Sequence, residues 1–148
     1  MLSVAEIMSR EPYTLGPDDS LHDAAHLMSE HHIRHIPIVN GEGAVVGLVS
    51  HRDVLAASGS KLFAPNDSDE DRAAAHVALS SIMASPVQTV AESEELRAVA
   101  TLLHRHKIGS LPVLRDGRLV GIVSASDFLE VAMTLMEQLE MKEPEEDF

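Results

Sequence analysis

GLVSHRDVL, residues 47–55, returns as GIVSASDFL, residues 121–129. Each copy runs from a glycine through two residues of strand character to a serine, Ser50 or Ser124. Three positions later stands an aspartate, Asp53 or Asp127, followed by an apolar pair. A strand entering a capped helix has this pattern. The serine hydroxyl accepts from the third backbone N–H of the helix and the acid reaches back, close to a capping box. Such a cap accounts for both residues with no ligand. A carboxylate at a helix start also accepts two hydrogen bonds from a vicinal diol, and free N–H groups in that turn favour an anion. Both readings stay open on the motif alone.

Working outward, the duplication extends well beyond nine residues. A shift of 75 places IMSREPYTL (Ile7–Leu15) on IMASPVQTV (Ile82–Val90). It also places Leu21, Ala25, Leu27, Ile33 and Pro37 on Leu96, Ala100, Leu102, Ile108 and Pro112. A one-residue deletion in the second turn makes the shift 74 for the serine motif. Each unit opens with an extended piece (Tyr13–Leu15; Gln88–Val90). An amphipathic helix follows, with Leu21, Ala24, Ala25, Leu27 and Met28, or Leu96, Val99, Ala100, Leu102 and Leu103, at helical spacing. Asp19 or Ser20 is the expected N-cap in the first unit. Two short strands (Ile36–Val39 and Val45–Val49; Leu111–Leu114 and Leu119–Val123) flank turns rich in Gly, Asn and Asp, which predicts hairpins. A second helix starts at each serine motif.

The order β-α-β-β-α, found twice, predicts an α+β fold. One unit alone is too small to bury much apolar surface, so the two are expected to pack face to face around a pseudo-two-fold axis. The expected boundaries are 1–58 for the first repeat, 59–80 for a connector, 81–141 for the second repeat and 142–148 for a disordered acidic tail. Within the connector, Asp69–Leu79 has the character of a helical segment capped by Ser68 or Asp69. The last helix carries a long stripe of Phe128, Leu129, Val131, Ala132, Leu135, Met136 and Leu139.

Apolar residues make up 45% of the 148 and aromatics 3%, so the core is aliphatic. There is no cysteine, hence no disulfide, thiolate metal site or cysteine nucleophile. No stretch approaches the ~18 apolar residues of a membrane span, and the first residues lack the pattern of a signal peptide. These absences predict a cytoplasmic protein with no membrane partner. The net charge of −13 argues against a nucleic-acid partner. Residues 137–148 hold −5 of it and residues 67–72 hold −3, which leaves −5 for the rest.

The two repeats differ where it matters. Arg34-His35 precedes Ile36-Pro37 in the first, and Gly109-Ser110 stands at that place in the second. His51-Arg52 fills the first Ser-x-x-Asp, and Ala125-Ser126 the second. Arginine presents a fixed fork to phosphate. Arg34, Arg52 and His35, with Lys107 from the other half, thus mark one electropositive cleft, and the second cleft reads as more neutral. His22 and His26 have the i,i+4 spacing of metal ligands, but no third ligand stands nearby, so no metal is expected. No Gly-rich phosphate loop is present, and no base stands ready to activate either serine, so no catalytic residue is expected and the chain is not expected to be an enzyme.

From the I-M start through I-P-I-V to G-L-V-S-x-x-D, each repeat resembles the cystathionine-β-synthase (CBS) domain, and the two together resemble a CBS pair, or Bateman module. The resemblance covers about residues 4–57 and 80–135. IRHIPIV, HKIGSLPV and the long final helix with its acidic tail are similar, more narrowly, to the acetoin-utilisation CBS proteins. The resemblance implies a regulatory, ligand-sensing module with no cofactor, whose clefts take an adenosine-containing nucleotide such as AMP, ADP or ATP. It implies that Asp53 and Asp127 hold ribose hydroxyls and that Ser50 and Ser124 lie near phosphate or ribose. In some members a His-Arg pair at the place of Arg34-His35 contacts phosphate; here the order is reversed. Leu15, Ile36 and Pro37, with Val90, Leu111 and Pro112, are then expected to sandwich adenine. It further implies a homodimer and a regulated partner enzyme. The alternative is a ligand-free module for dimerisation and partner docking.

Overall fold

Both serine motifs lie at strand-to-helix junctions in a computed structural model that describes residues 1–58 and 76–142. The first repeat contributes β1 (Ser9–Arg10), α1 (Leu21–His31), β2 (His35–Val39), β3 (Val45–Ser50) and α2 (His51–Ser58). The second contributes β4 (Val90–Ala91), α3 (Leu96–His106), β5 (Ser110–Arg115), β6 (Arg118–Ser124) and α4 (Ala125–Lys142). Each repeat is thus a β-α-β-β-α unit of an α+β fold. Ser20 is the N-cap of α1: its hydroxyl accepts from the Asp23 N–H (3.1 Å), and the Asp23 carboxylate accepts from the Ser20 N–H (3.0 Å). Asp19 instead accepts from the Gly16 N–H.

The hairpins form as expected. β2 pairs antiparallel with β3, and β5 with β6. Both carry an irregularity at the same place in the repeat, at Ile38/Val39 and Val113/Leu114. The second turn places Asp116 and Gly117 at φ 50° and 78°, the left-handed pair that a two-residue hairpin loop requires.

The repeats exchange their opening segments. β1 belongs to the first repeat by sequence, yet it pairs with β6, Ser9 opposite Ile122, in a sheet ordered β1-β6-β5-β4. The reciprocal bridge joins Ala84 to Leu48 on the edge of the β2–β3 hairpin. Val4 and Met8 are buried in the core of the second repeat, with Val99, Leu111, Val113 and Val123. Leu79 is buried in the core of the first, with Leu21, Ile36, Ile38, Val49 and Val54. The same segments close the helix starts: the Leu21 N–H donates to the Val77 carbonyl (2.8 Å), and the Leu96 N–H to the Leu2 carbonyl (2.8 Å). Each core draws on the segment that opens the other repeat: Val77, Leu79, Ile82 and Met83 join the first, and Val4, Ala5, Ile7 and Met8 the second.

That use explains the end of the connector. The helical segment expected over Asp69–Leu79 falls largely on 59–75, outside the described residues, as does the acidic tail from 143 onward. Its described end is not α-helical. Val77 and Ala78 lie extended against the start of α1, and Leu79–Ser81 form one 3-10 turn. The backbone groups there serve α1 and so are not available for a helix of their own.

Candidate functional site

Ser50 and Asp53 form the reciprocal cap that their spacing suggests. The Ser50 N–H donates to Asp53 Oδ2 (2.8 Å), and the Asp53 N–H donates to Ser50 Oγ (3.1 Å). In the second repeat the Ser124 N–H and Oγ–H both donate to Asp127 Oδ2, at 2.7 and 3.2 Å. Each carboxylate thus spends one oxygen on its helix start, and the other makes no hydrogen bond among the described residues. Both aspartates are half-buried, and each lines a cleft between the repeats. The capping reading and the binding reading therefore occupy different atoms of one side chain.

The first cleft, of about 880 Å³, is walled on one side by Arg34, His35, Ser50, His51, Arg52 and Asp53. Pro86, Val87, Gln88 and Lys107 to Leu111 close it from the second repeat. The second cleft, of about 580 Å³, is its counterpart under the repeat: Ser124 to Asp127 face Glu11, Pro12, Tyr13 and His32 to His35. The exchange of opening segments creates this arrangement, because it carries the stretch after each I-M motif across to the other repeat's serine motif.

Charge separates the two clefts. Arg34, Arg52 and Lys107 line the first against the single carboxylate of Asp53. Arg10 and Arg34 line the second against Glu11 and Asp127. In a chain of net charge −13, three cations around one acid form a local site for an anion. None of the three makes an ion pair among the described residues. Lys107 and its counterpart His32 both hold left-handed backbone, φ 51° and 55°, at helix ends, a conformation that glycine adopts without strain. A shallower hollow of about 340 Å³ beside α4 shares Asp127, but Ile7, Glu130, Val131, Thr134 and Leu135 line the rest of it, with no cation.

His35 is within electrostatic reach of both Asp53 and Arg34. Burial lowers its pKa below the usual 6.5, Asp53 acts to raise it and Arg34 to lower it further. Its ring covers Gly109: a methyl group placed on that glycine would sit 2.7 Å from His35 Nε2. The structure also picks out a residue that the sequence reading did not single out. Ser110 is 3% exposed, lines the first cleft, and its hydroxyl has no hydrogen-bond partner among the described residues. Buried hydroxyls are nearly always satisfied, so this one stands out in the cleft wall. Its only sequence signal was its place beside Gly109, opposite Arg34-His35.

Two expectations change. Leu15, Ile36, Pro37, Val90 and Pro112 do not line either cleft. Ile36, Pro37, Val90 and Pro112 are buried and Leu15 packs against the first core, so of the six residues assigned to the adenine only Leu111 reaches a cleft. The apolar walls come instead from Leu48, Val87 and Ile108 in the first cleft and from Pro12, Tyr13 and Ile122 in the second. The N–H groups of the helix starts are also less free than expected. His51 donates to the Arg34 carbonyl (2.7 Å), Ala125 to the Gly109 carbonyl (3.0 Å), and Asp53 to its own cap. An anion in the first cleft must rely chiefly on side chains. His22 and His26 are exposed, and no cluster of three metal-ligating side chains exists among the described residues.

Comparison with known proteins agrees with this architecture. The family model described as the CBS domain matches residues 4–60 and again 79–134. A crystal structure described as that of an acetoin utilisation protein, AcuB, of Vibrio cholerae is 39% identical, with a TM-score of 0.77, over 97% of this chain and 99% of that one. The CBS domain pair of another protein, solved in complex with 5′-methylthioadenosine and S-adenosyl-L-methionine, is 27% identical with a TM-score of 0.77, over 91% of this chain and 98% of that one. A CBS domain-containing protein of Dictyostelium discoideum is 29% identical over 135 residues, 90% of this chain and 93% of that protein. Other relatives are longer: the chain spans 25% of a homoserine O-acetyltransferase of Methanocorpusculum labreanum, at 31% identity.

Proposed function

The chain belongs to the CBS domain family, as a pair of CBS repeats, and on that premise we propose that it is a regulatory module that senses an adenosine-containing nucleotide. The first cleft carries this reading: Arg34, Arg52 and Lys107, without ion-pair partners among the described residues, surround Asp53 in an otherwise acidic chain. The free oxygen of Asp53 takes a ribose hydroxyl, the three cations take phosphate, and Leu48, Val87 and Ile108 receive the base. The structural relative bound to two adenosine-containing compounds supports the ligand class.

A ligand seated there touches the β3–α2 junction of one repeat and the Pro86–Gln88 stretch of the other. It therefore shifts their relative placement to the extent that it binds one arrangement better. The chain itself performs no chemistry in this reading; the output is a partner enzyme. Beyond Met133, α4 leaves Leu135, Met136, Leu139 and Met141 more than half exposed, and a second copy of the chain covers them in a homodimer. The module works in the cytoplasm, in keeping with the lack of any described helix long and apolar enough to cross a membrane.

A melting panel of AMP, ADP, ATP, NAD and S-adenosylmethionine tests the proposal. A ligand at about 100 times its Kd adds roughly 2.7 kcal/mol, several degrees for a domain of this size. Silence across the panel at millimolar concentration removes the sensing role and leaves the second reading, a ligand-free dimerisation and docking module. That second reading draws on both aspartates being engaged in helix caps and on the uncovered face of α4.

A further inference from the structure

Arg34, His35 and Gly109 line both clefts, so the two cavities meet at one wall. We propose that this wall makes them a single electrostatic unit, in which an anionic group held in either cleft weakens the grip of the other on a second anion. The inference rests on the nucleotide reading above and concerns how the two clefts communicate.

The asymmetry of the repeats produces the effect. Two equal repeats would bring two basic pairs to the shared wall. Here the second repeat supplies Gly109-Ser110, so one guanidinium, that of Arg34, stands where two would be. Gly109 also gives up the space that the His35 ring fills, since a methyl group there would lie 2.7 Å from Nε2. The partition is therefore built from first-repeat side chains alone. Arg34 is exposed and has no ion-pair partner among the described residues. An arginine fork engages one phosphate in its plane, so commitment to one cleft withdraws it from the other. The first cleft then still holds Arg52 and Lys107, whereas the second retains only Arg10, beside Glu11 and Asp127. Linkage makes the penalty reciprocal: each anion weakens the other by the same factor.

Calorimetric titration of the full chain with AMP and with adenosine tests this. Asp53→Ala and Asp127→Ala disable one cleft each; where an alanine variant does not fold, Asp→Asn keeps an acceptor for the cap and replaces it. AMP should bind the remaining cleft of a variant roughly 10- to 100-fold more tightly than that cleft binds in wild type once its neighbour is full, a range usual for coupled sites. Adenosine, which lacks the phosphate, should show no such difference, and Arg34→Gln should abolish it for AMP. Equal AMP affinities with the neighbour full or disabled overturn the coupling, as do a difference that survives Arg34→Gln and AMP binding confined to one cleft in every form. Independent clefts that bind AMP leave the sensing role standing. Wild type that binds no nucleotide at all overturns both.

Discussion

Asp53 divides its carboxylate between two tasks, and a substitution separates them. Oδ2 accepts from the Ser50 N–H, while the second oxygen is left for the cleft. Asparagine keeps one oxygen for the cap and loses the charge. Asp53→Asn should leave stability within about 0.5 kcal/mol, as for changes that spare a structural bond. It should weaken nucleotide binding at least ~10-fold, because hydrogen bonds to charged groups contribute about 1.5–3 kcal/mol. Melting and calorimetry on the same preparation check the pair; unchanged affinity would move the ligand away from this residue. His35 sets a pH dependence. Burial lowers its folded pKa below the ordinary 6.5, so the folded state holds a proton less readily than the unfolded chain. Its contribution is complete above about 6.5 and is lost as pH falls from there through the folded value. Wild type should therefore lose more Tm than His35→Gln on going from pH 7.5 to 5.5. A variant that falls as steeply as wild type would assign the slope to other groups.

At the level of strands and helices, the informative feature is the crossing of the opening segments. Gly47 and Gly121 hold equivalent places in β3 and β6, and each lies under a methionine of the other repeat. A methyl group on Gly47 would come within 2.3 Å of Met83 Sδ. On Gly121 it would meet Met8 Sδ at 2.5 Å and the Ser9 carbonyl oxygen at 2.9 Å. A thioether swings aside, but the Ser9 backbone is fixed by its pairing with β6. Gly121→Ala should thus cost about 1–3 kcal/mol, the usual range for overpacking, and Gly47→Ala clearly less. Thermal melts of both variants decide it, and equal losses would show that the β1–β6 contact yields as readily as a side chain. The same crossing marks what the sequence discloses and what it does not. Period and turn chemistry locate the hairpins, the Ser20 cap and both serine-headed helices, since each depends on neighbours in the chain. The partners of Met8 and Met83 lie more than 35 residues away and across a repeat boundary, and no local pattern encodes them. For that reason the serine, aspartate and arginine positions of the clefts were legible. The apolar walls were not: Pro12, Tyr13 and Val87 reach a cleft only because their segment crosses over.

For the molecule as a whole, the two cores are unlike in what they leave uncovered. Within the first repeat α2 ends at Ser58 as far as the chain is described, with Val54 and Ser58 buried. α4 runs for 18 residues without one buried residue, and its exposed apolar side chains continue to Met141. Leu129, Leu135, Met136 and Leu139 are each between 54% and 66% exposed in the isolated chain. Single exposed apolar residues are ordinary; a run of them along one helix marks an interaction surface. The charge of −13 opposes casual self-association, so a pairing through α4 must be specific and driven by apolar burial. The protein should sediment as a dimer at tens of micromolar, and its Tm should rise with concentration, as mass action demands when folding is coupled to pairing. Leu135→Glu should shift it to monomer while leaving the buried cores untouched. If wild type sediments as a monomer with a concentration-independent Tm, α4 does not pair with a second copy.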